Sequence, residues 1–455
     1  MDMSLIKTFK LSLSIIIGKL VRFGLKAGGK SATALPGNIA LRVEPDLLKV
    51  VNKRCKKKVM VTGTNGKTTT NNLIAHILGG NFKNILSNLR GANMPQGIAS
   101  SFIENPKNEY DWGVFEVDEG SFTKVMKDIE PDYIVVTNFF RDQLDRYGEI
   151  ENTVSMVYET IKPSNTSLIL NADDPLVSKF KNLNKKNIFY GIKKNQFSSK
   201  DEKVVETRNC PSCNSYIDYE YFNYGQLGSY NCKECGFKNP FYDYYVENIN
   251  YKGNKYCFDI NTANKETFKD TCFEYEGIYN IYNCCAAFTF SCEIGIEPST
   301  IIDRMENFDY KLGRMEEIKF KDKIIKIVLT KNPIGLTEVI KSISHDKRRK
   351  AILFILNDNP ADGQDISWIW DAGLSKFKNI KNLKRIYCSG KRAEDIALRI
   401  EYAHIPTEII KIDDNMQESI KEAVHEDVEI AYILPTYTAV FQTRDMVLDL
   451  TVHGK

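Results

Sequence analysis

Three groups of residues in this chain have types and spacings that carry chemistry. The first is Gly63-Thr64-Asn65-Gly66-Lys67-Thr68-Thr69. Gly63 and Gly66 let backbone N–H groups approach an anion, and a helix starting there adds its partial positive charge. Lys67 can then reach terminal phosphates, and Thr68 or Thr69 can hold Mg²⁺. The first glycine stands closer to Gly66-Lys67 than in the usual phosphate loop, and glycine turns between strand and helix are common. The run Gly-Lys-Thr-Thr therefore carries the assignment of an ATP site. The second group is Glu116, Asp118 and Glu119. A hard cation bridging phosphates takes carboxylate oxygens, so these are candidates for Mg²⁺ or its waters; the plain reading is a solvated strand end. The third is Cys210-Pro-Ser-Cys213 and Cys232-Lys-Glu-Cys235, two knuckles with 18 residues between them. Four thiolates at this spacing close a tetrahedral Zn²⁺ site of the structural kind, with a Tyr-rich hairpin between the knuckles. The hairpin carries few basic residues, which argues against nucleic acid as the ribbon's partner.

These groups need elements to hold them. Val59 to Val61 reads as a buried strand, and Leu73, Ile74, Ile77 and Leu78 recur at helical spacing after the loop. Asp111 to Ser121 reads as a strand delivering its acids to the carboxyl end; further strands fall at Tyr133–Thr137 and Ser167–Leu170. Alternation at this pitch predicts an α/β fold with a doubly wound parallel sheet, whose ligands sit at the carboxyl edge. From about residue 317 the pattern restarts, with strands at 324–329, 351–356, 385–389 and 430–434 and helices at 335–344, 391–403 and 438–449. Between them, Leu356 to Asp371 is a turn-rich loop carrying Asp358, Asp362 and Asp365 and two of the chain's three tryptophans. Exposed loops of this kind carry function more often than cores do.

The 455 residues suffice for two or three domains, and a formal net charge of +3 gives no reason to expect bulk nucleic-acid binding. Eleven cysteines do not imply disulfides in a chain this long; outside the two knuckles, Cys55, Cys257, Cys272, Cys284, Cys285, Cys292 and Cys388 read as buried thiols. The apolar run Leu11–Ile17, flanked by Lys7, Lys10, Lys19 and Arg22, is too short to span a bilayer. No small-residue cleavage site follows it cleanly, so a signal peptide is disfavoured. It reads as a basic amphipathic helix packed on the body, with a membrane-surface contact as the second reading.

The motifs in order resemble one family. Gly-Thr-Asn-Gly-Lys-Thr-Thr (63–69), an acidic strand end, Thr-Asn-x-x-x-Asp-x-x-Asp-Arg-Tyr-Gly (137–148) and Asn-Ala-Asp-Asp-Pro (171–175) are similar to the central domain of the Mur ligases. Gly277-Ile-Tyr-Asn280-Ile-Tyr-Asn283-Cys-Cys-Ala-Ala287 resembles that family's adenine-side helix, Gly313-Arg314 its join to a C-terminal domain, and Lys331-Asn332-Pro333 that domain's opening. The resemblance covers most of residues 55–450 and implies ATP-dependent activation of a carboxylate as an acyl phosphate, then attack by an amine. It implies nucleotide contacts at Asn138, Asn280 and Arg314. It also implies domains at 1–54 (helical), 55–315 (ATP-binding, with the zinc insertion at about 206–240) and 316–455 (α/β). The chain departs from the pattern at Gln143 and Tyr279, each replacing a family His; Gln143 remains an orienter that cannot titrate near neutrality. No lysine after Gly148 is suited to carbamylation, and the space before residue 63 is too short for a UDP-binding domain.

The early phosphate loop, the four-cysteine insertion and Asp362-Gly-x-Asp365-x-Ser-Trp-Ile resemble one branch of the family, synthetase subunits working with a GatD-type glutaminase. That implies a cytoplasmic enzyme of peptidoglycan biosynthesis, at the inner membrane face on the second reading above, amidating the α-carboxylate of D-glutamate in lipid II. It further implies that Asp365 orients the glutaminase's His, with a loop cap as its plain reading and Asp358 or Asp362 as stand-ins. Two other readings stand beside it: a folylpolyglutamate synthase-like ligase, and an ATP-binding scaffold that does no chemistry.

Overall fold

The strand that ends in the phosphate loop, β1 (Cys55–Thr62), is buried from Val59 onward, on both faces. Its neighbours β3 (Tyr110–Glu116), β4 (Tyr133–Val136), β5 (Ser167–Asn171) and β6 (Asn187–Ile192) share that composition. Near-continuous apolar runs are what a parallel sheet covered on both faces requires. A computed structural model describes residues 3–453 except 29–31, 89–91, 142–149, 184, 202–204, 253–254, 275–276 and 310–313. With β2 (Ile85–Ser87), β9 (Tyr244–Lys252), β10 (Lys255–Asn261) and β11 (Thr267–Phe273), these strands form one nine-stranded sheet in the order β11-β10-β9-β6-β5-β4-β1-β3-β2. Pairing is parallel from β2 to β9, and β10 and β11 extend the edge antiparallel.

One face carries the helices Lys67–Asn81 and Ile278–Glu293, the second of them apolar nearly all round and almost wholly buried. The other face carries Leu47–Arg54, Pro95–Glu104, Glu119–Met126 and Ile150–Ile161. After β1 the chain turns toward β2, whereas after β4 it turns toward β5. The crevice at the β1/β4 border is thus the switch point where open sheets bind ligands.

The second sheet has the order β12-β13-β17-β14-β15-β16, formed by β12 (Arg314–Phe320), β13 (Lys323–Val328), β14 (Lys350–Ile355), β15 (Leu383–Ser389), β16 (Ile410–Ile412) and β17 (Ile430–Pro435). The expected strands and helices of this third are present. Sequence patterning misses β12 and β16: β12 is an antiparallel edge strand with alternating charges, and β16 has three residues. A separate hairpin, β7 (Asp218–Tyr224) and β8 (Leu227–Asn231), lies between the two cysteine knuckles.

One cysteine expectation is corrected. Cys257 and Cys272 face each other across β10 and β11 and form a disulfide, so they are not free thiols. Cross-strand partners this close need no rearrangement to bond. Cys55, Cys284, Cys285 and Cys388 are buried thiols, as composition suggests.

The N-terminal helices pack through small residues. A Cβ on Gly37 would sit 1.9 Å from the Gln96 carbonyl oxygen, so helix Leu35–Val43 lies directly on helix Pro95–Glu104. We predict that Gly37→Val destabilises the fold by about 1–3 kcal/mol, the usual cost of overpacking, measurable as a lowered urea midpoint with an unchanged slope.

Candidate functional site

Gly63 and Gly66 adopt left-handed backbone, φ +118° and +84°. At both, a Cβ would strike a neighbour: Thr137 Oγ1 at 2.4 Å from Gly63 and Asn283 Oδ1 at 2.0 Å from Gly66. The loop is thus locked against the end of β4. The Thr64 amide donates to the Asn138 carbonyl (2.8 Å), the Asn65 amide to Asn138 Oδ1 (2.9 Å), and Thr137 Oγ1 to the Asn65 carbonyl (2.8 Å). Gly66 caps helix Lys67–Asn81, whose first amides face the cradle.

Lys67 is buried and pairs with Glu119 at 2.8 Å while donating to the Thr64 carbonyl at 3.1 Å. Burial opposes its charge, but Glu119, Asp118 and Glu116 outweigh that and hold the ammonium above the ordinary lysine range. Burial likewise opposes ionisation of Glu119, yet Lys67 keeps its carboxyl below the usual range.

Glu116 closes β3 beside this pair. Its Oε1 accepts from Thr68 Oγ1 (2.9 Å) and Asn93 Nδ2 (3.2 Å), and its backbone is held by Asn88 through bonds of 2.9 and 2.8 Å. The other oxygen, Oε2, is buried without a hydrogen-bond partner. A buried carboxylate oxygen next to a threonine hydroxyl and a phosphate cradle fits Mg²⁺, which takes carboxylate, hydroxyl and phosphate oxygens. The two acids are thereby separated: Glu116 offers a free oxygen and Glu119 is committed to Lys67.

A slot of about 100 Å³ continues from the cradle, lined by Gly66, Tyr224, Tyr279, Asn280, Lys331 and Asn332 among others. Asn280 accepts from Asn283 Nδ2 at 3.2 Å, and Thr69 lines the same slot. Gln143 lies outside the described residues. Arg314 opens β12, but its side chain is also outside the described residues.

Three residues of this site, Asn88, Asn93 and Tyr224, carry no sequence motif, and a fourth, Asn332, reads from sequence only as the opening of the C-terminal domain. Asn88 and Asn93 fix Glu116 from the segment after β2. Tyr224 comes from the tip of the β7–β8 hairpin, where its hydroxyl accepts from Asn65 Nδ2 at 3.0 Å. Asn332 belongs to the second α/β unit: its Oδ1 caps helix Pro333–His345 (2.8 Å from Gly335 N) and its Nδ2 donates to Asn65 Oδ1 at 2.8 Å. An Asn-Pro step at a helix start signals the cap, but not the contact.

The four knuckle cysteines converge with all sulfurs within 4.8 Å of one another; Cys210 to Cys235 and Cys213 to Cys232 are each 3.6 Å apart. Tetrahedral Zn²⁺ with bonds of about 2.3 Å sets thiolates about 3.8 Å apart, so the donor set fits it. Each knuckle is followed by a left-handed residue, Asn214 (φ 62°) and Gly236 (φ +70°), whose amide returns to the first cysteine's carbonyl at 2.8 and 2.9 Å. The apolar cluster under the knuckles is only Cys210, Ile217, Tyr230, Cys232 and Phe237 with Tyr219 against it, too small to fold the insertion alone.

In the 356–371 loop the three acids have different surroundings. Asp362 is buried and takes both the amide (2.7 Å) and hydroxyl (2.5 Å) of Thr438; Asp358 lies 3.6 Å from Arg392. Asp365 is half-buried and accepts from the Ser367 amide at 2.8 Å; the Ser367 hydroxyl and amide hold its carboxyl below the usual range. It is therefore a loop cap that remains reachable from solvent. Asp371 pairs with Arg141 at 3.1 Å, tying this loop to the segment after β4 that bounds the crevice.

Because Tyr224 reaches Asn65 from the hairpin, loss of the cysteine cluster or of the Tyr224 hydroxyl should be felt at the phosphate loop. Tyr224→Phe is predicted to weaken binding of a non-hydrolysable ATP analogue about fivefold, the worth of one hydrogen bond; titration calorimetry measures it. Cys213→Ser with Cys232→Ser should reproduce or exceed that loss.

Two family models match the chain: the Mur ligase middle domain over residues 61–233 and the MurT ligase C-terminal domain over residues 329–440. The chain is 36% identical over 428 residues to the MurT subunit of lipid II isoglutaminyl synthase (glutamine-hydrolyzing) from Staphylococcus aureus strain COL, covering 94% of this chain and 95% of that one. It is 34% identical over 454 residues to the MurT subunit of the same synthase from Streptococcus pneumoniae, covering 98% and 99%. Among solved structures, a pseudomurein peptide ligase type C from Methanothermus fervidus superposes with a TM-score of 0.67 at 24% identity, covering 89% of this chain and 81% of that one. With both family models matched along it and relatives 34–36% identical over nearly its full length, the chain belongs to the MurT family of Mur ligases.

Proposed function

We propose that the protein is the ATP-consuming synthetase subunit that amidates the α-carboxylate of D-glutamate in the stem peptide of lipid II, giving D-isoglutamine for peptidoglycan. The observation that carries this reading is the convergence of Lys67, Thr68 and the unpartnered Glu116 oxygen on one cradle. ATP is held by amides of residues 63–69, with Asn280 lining the slot, Asn138 holding the loop backbone at Thr64 and Asn65, and Arg314 beside the join. Mg²⁺, held by Thr68 and Glu116, supplies charge neutralisation on the phosphates. Lys67 moves its ammonium from Glu119 to the transferred phosphoryl group, where positive charge lowers the barrier. Glu119 is left to keep Lys67 positioned between turnovers. The substrate carboxylate becomes an acyl phosphate, ammonia attacks its carbonyl carbon, and phosphate leaves; no side-chain nucleophile is needed. Gln143 is an orienter on this reading.

The ammonia comes from a separate GatD-type glutaminase docked on the unit 316–455, and Asp365 orients that subunit's catalytic His. Asp362 is buried on Thr438 and Asp358 faces Arg392, whereas Asp365 is bound only by its own loop at Ser367 and remains accessible, which supports it over the other two. A carboxylate fixing a histidine tautomer is ordinary triad logic, here divided between two chains. The four-cysteine site holds structural Zn²⁺. The reaction takes place at the cytoplasmic face of the membrane, where ATP and a lipid-borne substrate meet. Among the described residues no helix is long and apolar enough to cross a membrane.

Two experiments test this. Lys67→Ala should lower ADP release with lipid II and ammonium chloride by roughly a hundredfold or more, the scale of losing one transition-state charge contact; unchanged ADP release would remove the synthetase reading. Asp365→Asn should abolish glutamine-driven amidation in the presence of the glutaminase while leaving ammonia-driven amidation at wild-type rate. Equal loss in both assays would make Asp365 a structural cap and nothing more.

A further inference from the structure

Helix Met3–Ala27 contains no acidic residue and is apolar on two opposite faces. One face is used by the fold. Leu11 and Ile15 pack on the core, Ser14 is fully buried, and a Cβ on Gly18 would lie 2.9 Å from Ile103, so the helix is seated directly on helix Pro95–Glu104. Arg22 adds an ion pair to Glu104. The opposite face presents Phe9 (67% exposed), Leu13 (37%), Ile16 (56%), Leu20 (65%) and Phe23 (75%). At about 100° per residue these five fall within about 80° of arc, opposite Leu11, Gly18 and Leu25. Two of the five are phenylalanines at the ends of the stripe, and a contiguous apolar stripe of this size on a solvent-facing surface marks an interaction site.

Charge identifies the occupant. Lys10 lies on one flank of the stripe, about 100° from its centre, and Lys19 and Lys26 lie about 80–100° away on the other. Cations on both borders of an apolar stripe, with no acid anywhere on the helix, match a surface that is apolar below and anionic at its rim. Through Arg22 the same helix touches one residue of a nearby cleft. Glu104, the partner of Arg22, lines a cleft of about 1010 Å³ with Ser100, Ser101, Asn72 and Asn88, and Asn88 is the residue that holds the Glu116 backbone. Both side-chain polar atoms of Asn72 are buried there without hydrogen-bond partners.

We propose that helix Met3–Ala27 docks the protein on an anionic phospholipid bilayer surface through Phe9, Leu13, Ile16, Leu20 and Phe23. The stripe inserts at the level of the headgroups, the lysines reach the phosphates, and the cleft opens beside the surface that carries the substrate. That last consequence rests on the lipid II reading above; the docking itself does not.

The vesicle-binding test uses the full chain without lipid II or ATP, so its outcome is independent of the catalytic assignment; lipid II enters only in the separate turnover comparison. Wild-type protein should co-sediment with phosphatidylcholine vesicles containing phosphatidylglycerol, and far less with phosphatidylcholine alone. Ile16→Glu with Leu20→Glu, both on the exposed face, should lower the partition coefficient roughly tenfold or more, and Lys10→Gln with Lys19→Gln about fivefold per lysine. The acidic variant should keep wild-type thermal stability and wild-type turnover on detergent-solubilised lipid II, while losing turnover on lipid II in vesicles. Wild-type protein remaining in the supernatant with anionic vesicles would overturn the proposal, as would an acidic variant that binds like wild type. Light scattering that shows a wild-type dimer, a monomeric variant and no vesicle binding would assign the stripe to a second copy and overturn it equally.

Discussion

Asn65 is the point on which the structure turns. Its amide and carbonyl bind the end of β4 through Asn138 and Thr137, its side-chain nitrogen binds Tyr224 of the hairpin between the cysteine knuckles, and its side-chain oxygen binds Asn332 of the second α/β unit. One residue in the phosphate loop thus ties together the switch point of the first sheet, the cysteine-knuckle insertion and the unit that carries the 356–371 loop. Such hydrogen bonds are worth about 1 kcal/mol each. Their importance lies in position, because they set where the first sheet, the cysteine-knuckle insertion and the second α/β unit place their side chains around one anion cradle.

The electrostatics of the cradle follow from burial. Lys67 and Glu119 are 4% and 5% exposed, so each compensates the other's lost hydration. Removing one partner leaves a buried unpaired charge, a loss of about 3–5 kcal/mol. The pair therefore holds an ammonium beside the anion cradle. Glu116 is the contrasting case, its second oxygen buried without a partner beside Thr68. Nearby carboxylates with the same covalent chemistry differ in their surroundings, Glu119 paired with an ammonium and Glu116 bonded through one oxygen to Thr68 and Asn93.

The two cysteine arrangements make the same contrast. In the knuckles the left-handed residues Asn214 and Gly236 turn two loops so that four sulfurs meet at contact distance without bonding to one another. In β10 and β11 the ladder sets Cys257 directly opposite Cys272, and they bond. Spacing along the chain encodes the first arrangement because a knuckle is local. The second depends on a strand register, to which spacing gives no clue.

Local patterns by themselves determined the phosphate loop, the parallel strands around it, the cysteine knuckles and the basic apolar N-terminal helix, since each is a short-range pattern with a short-range cause. A strand buried on both faces must be apolar, an anion cradle must have glycines, and a knuckle must have its four-residue step. Only the tertiary structure decided that Glu119 belongs to Lys67 while Glu116 keeps an oxygen free, that Asp362 is buried on Thr438, Asp358 faces Arg392 and Asp365 accepts from Ser367, and that Tyr224 and Asn332 complete the phosphate-loop site. It also decided which face of helix Met3–Ala27 is covered, leaving the stripe from Phe9 to Phe23 exposed. These are questions of which groups meet across tens to hundreds of residues of chain, and packing answers them, because a side chain's partner is set by the elements that converge on it.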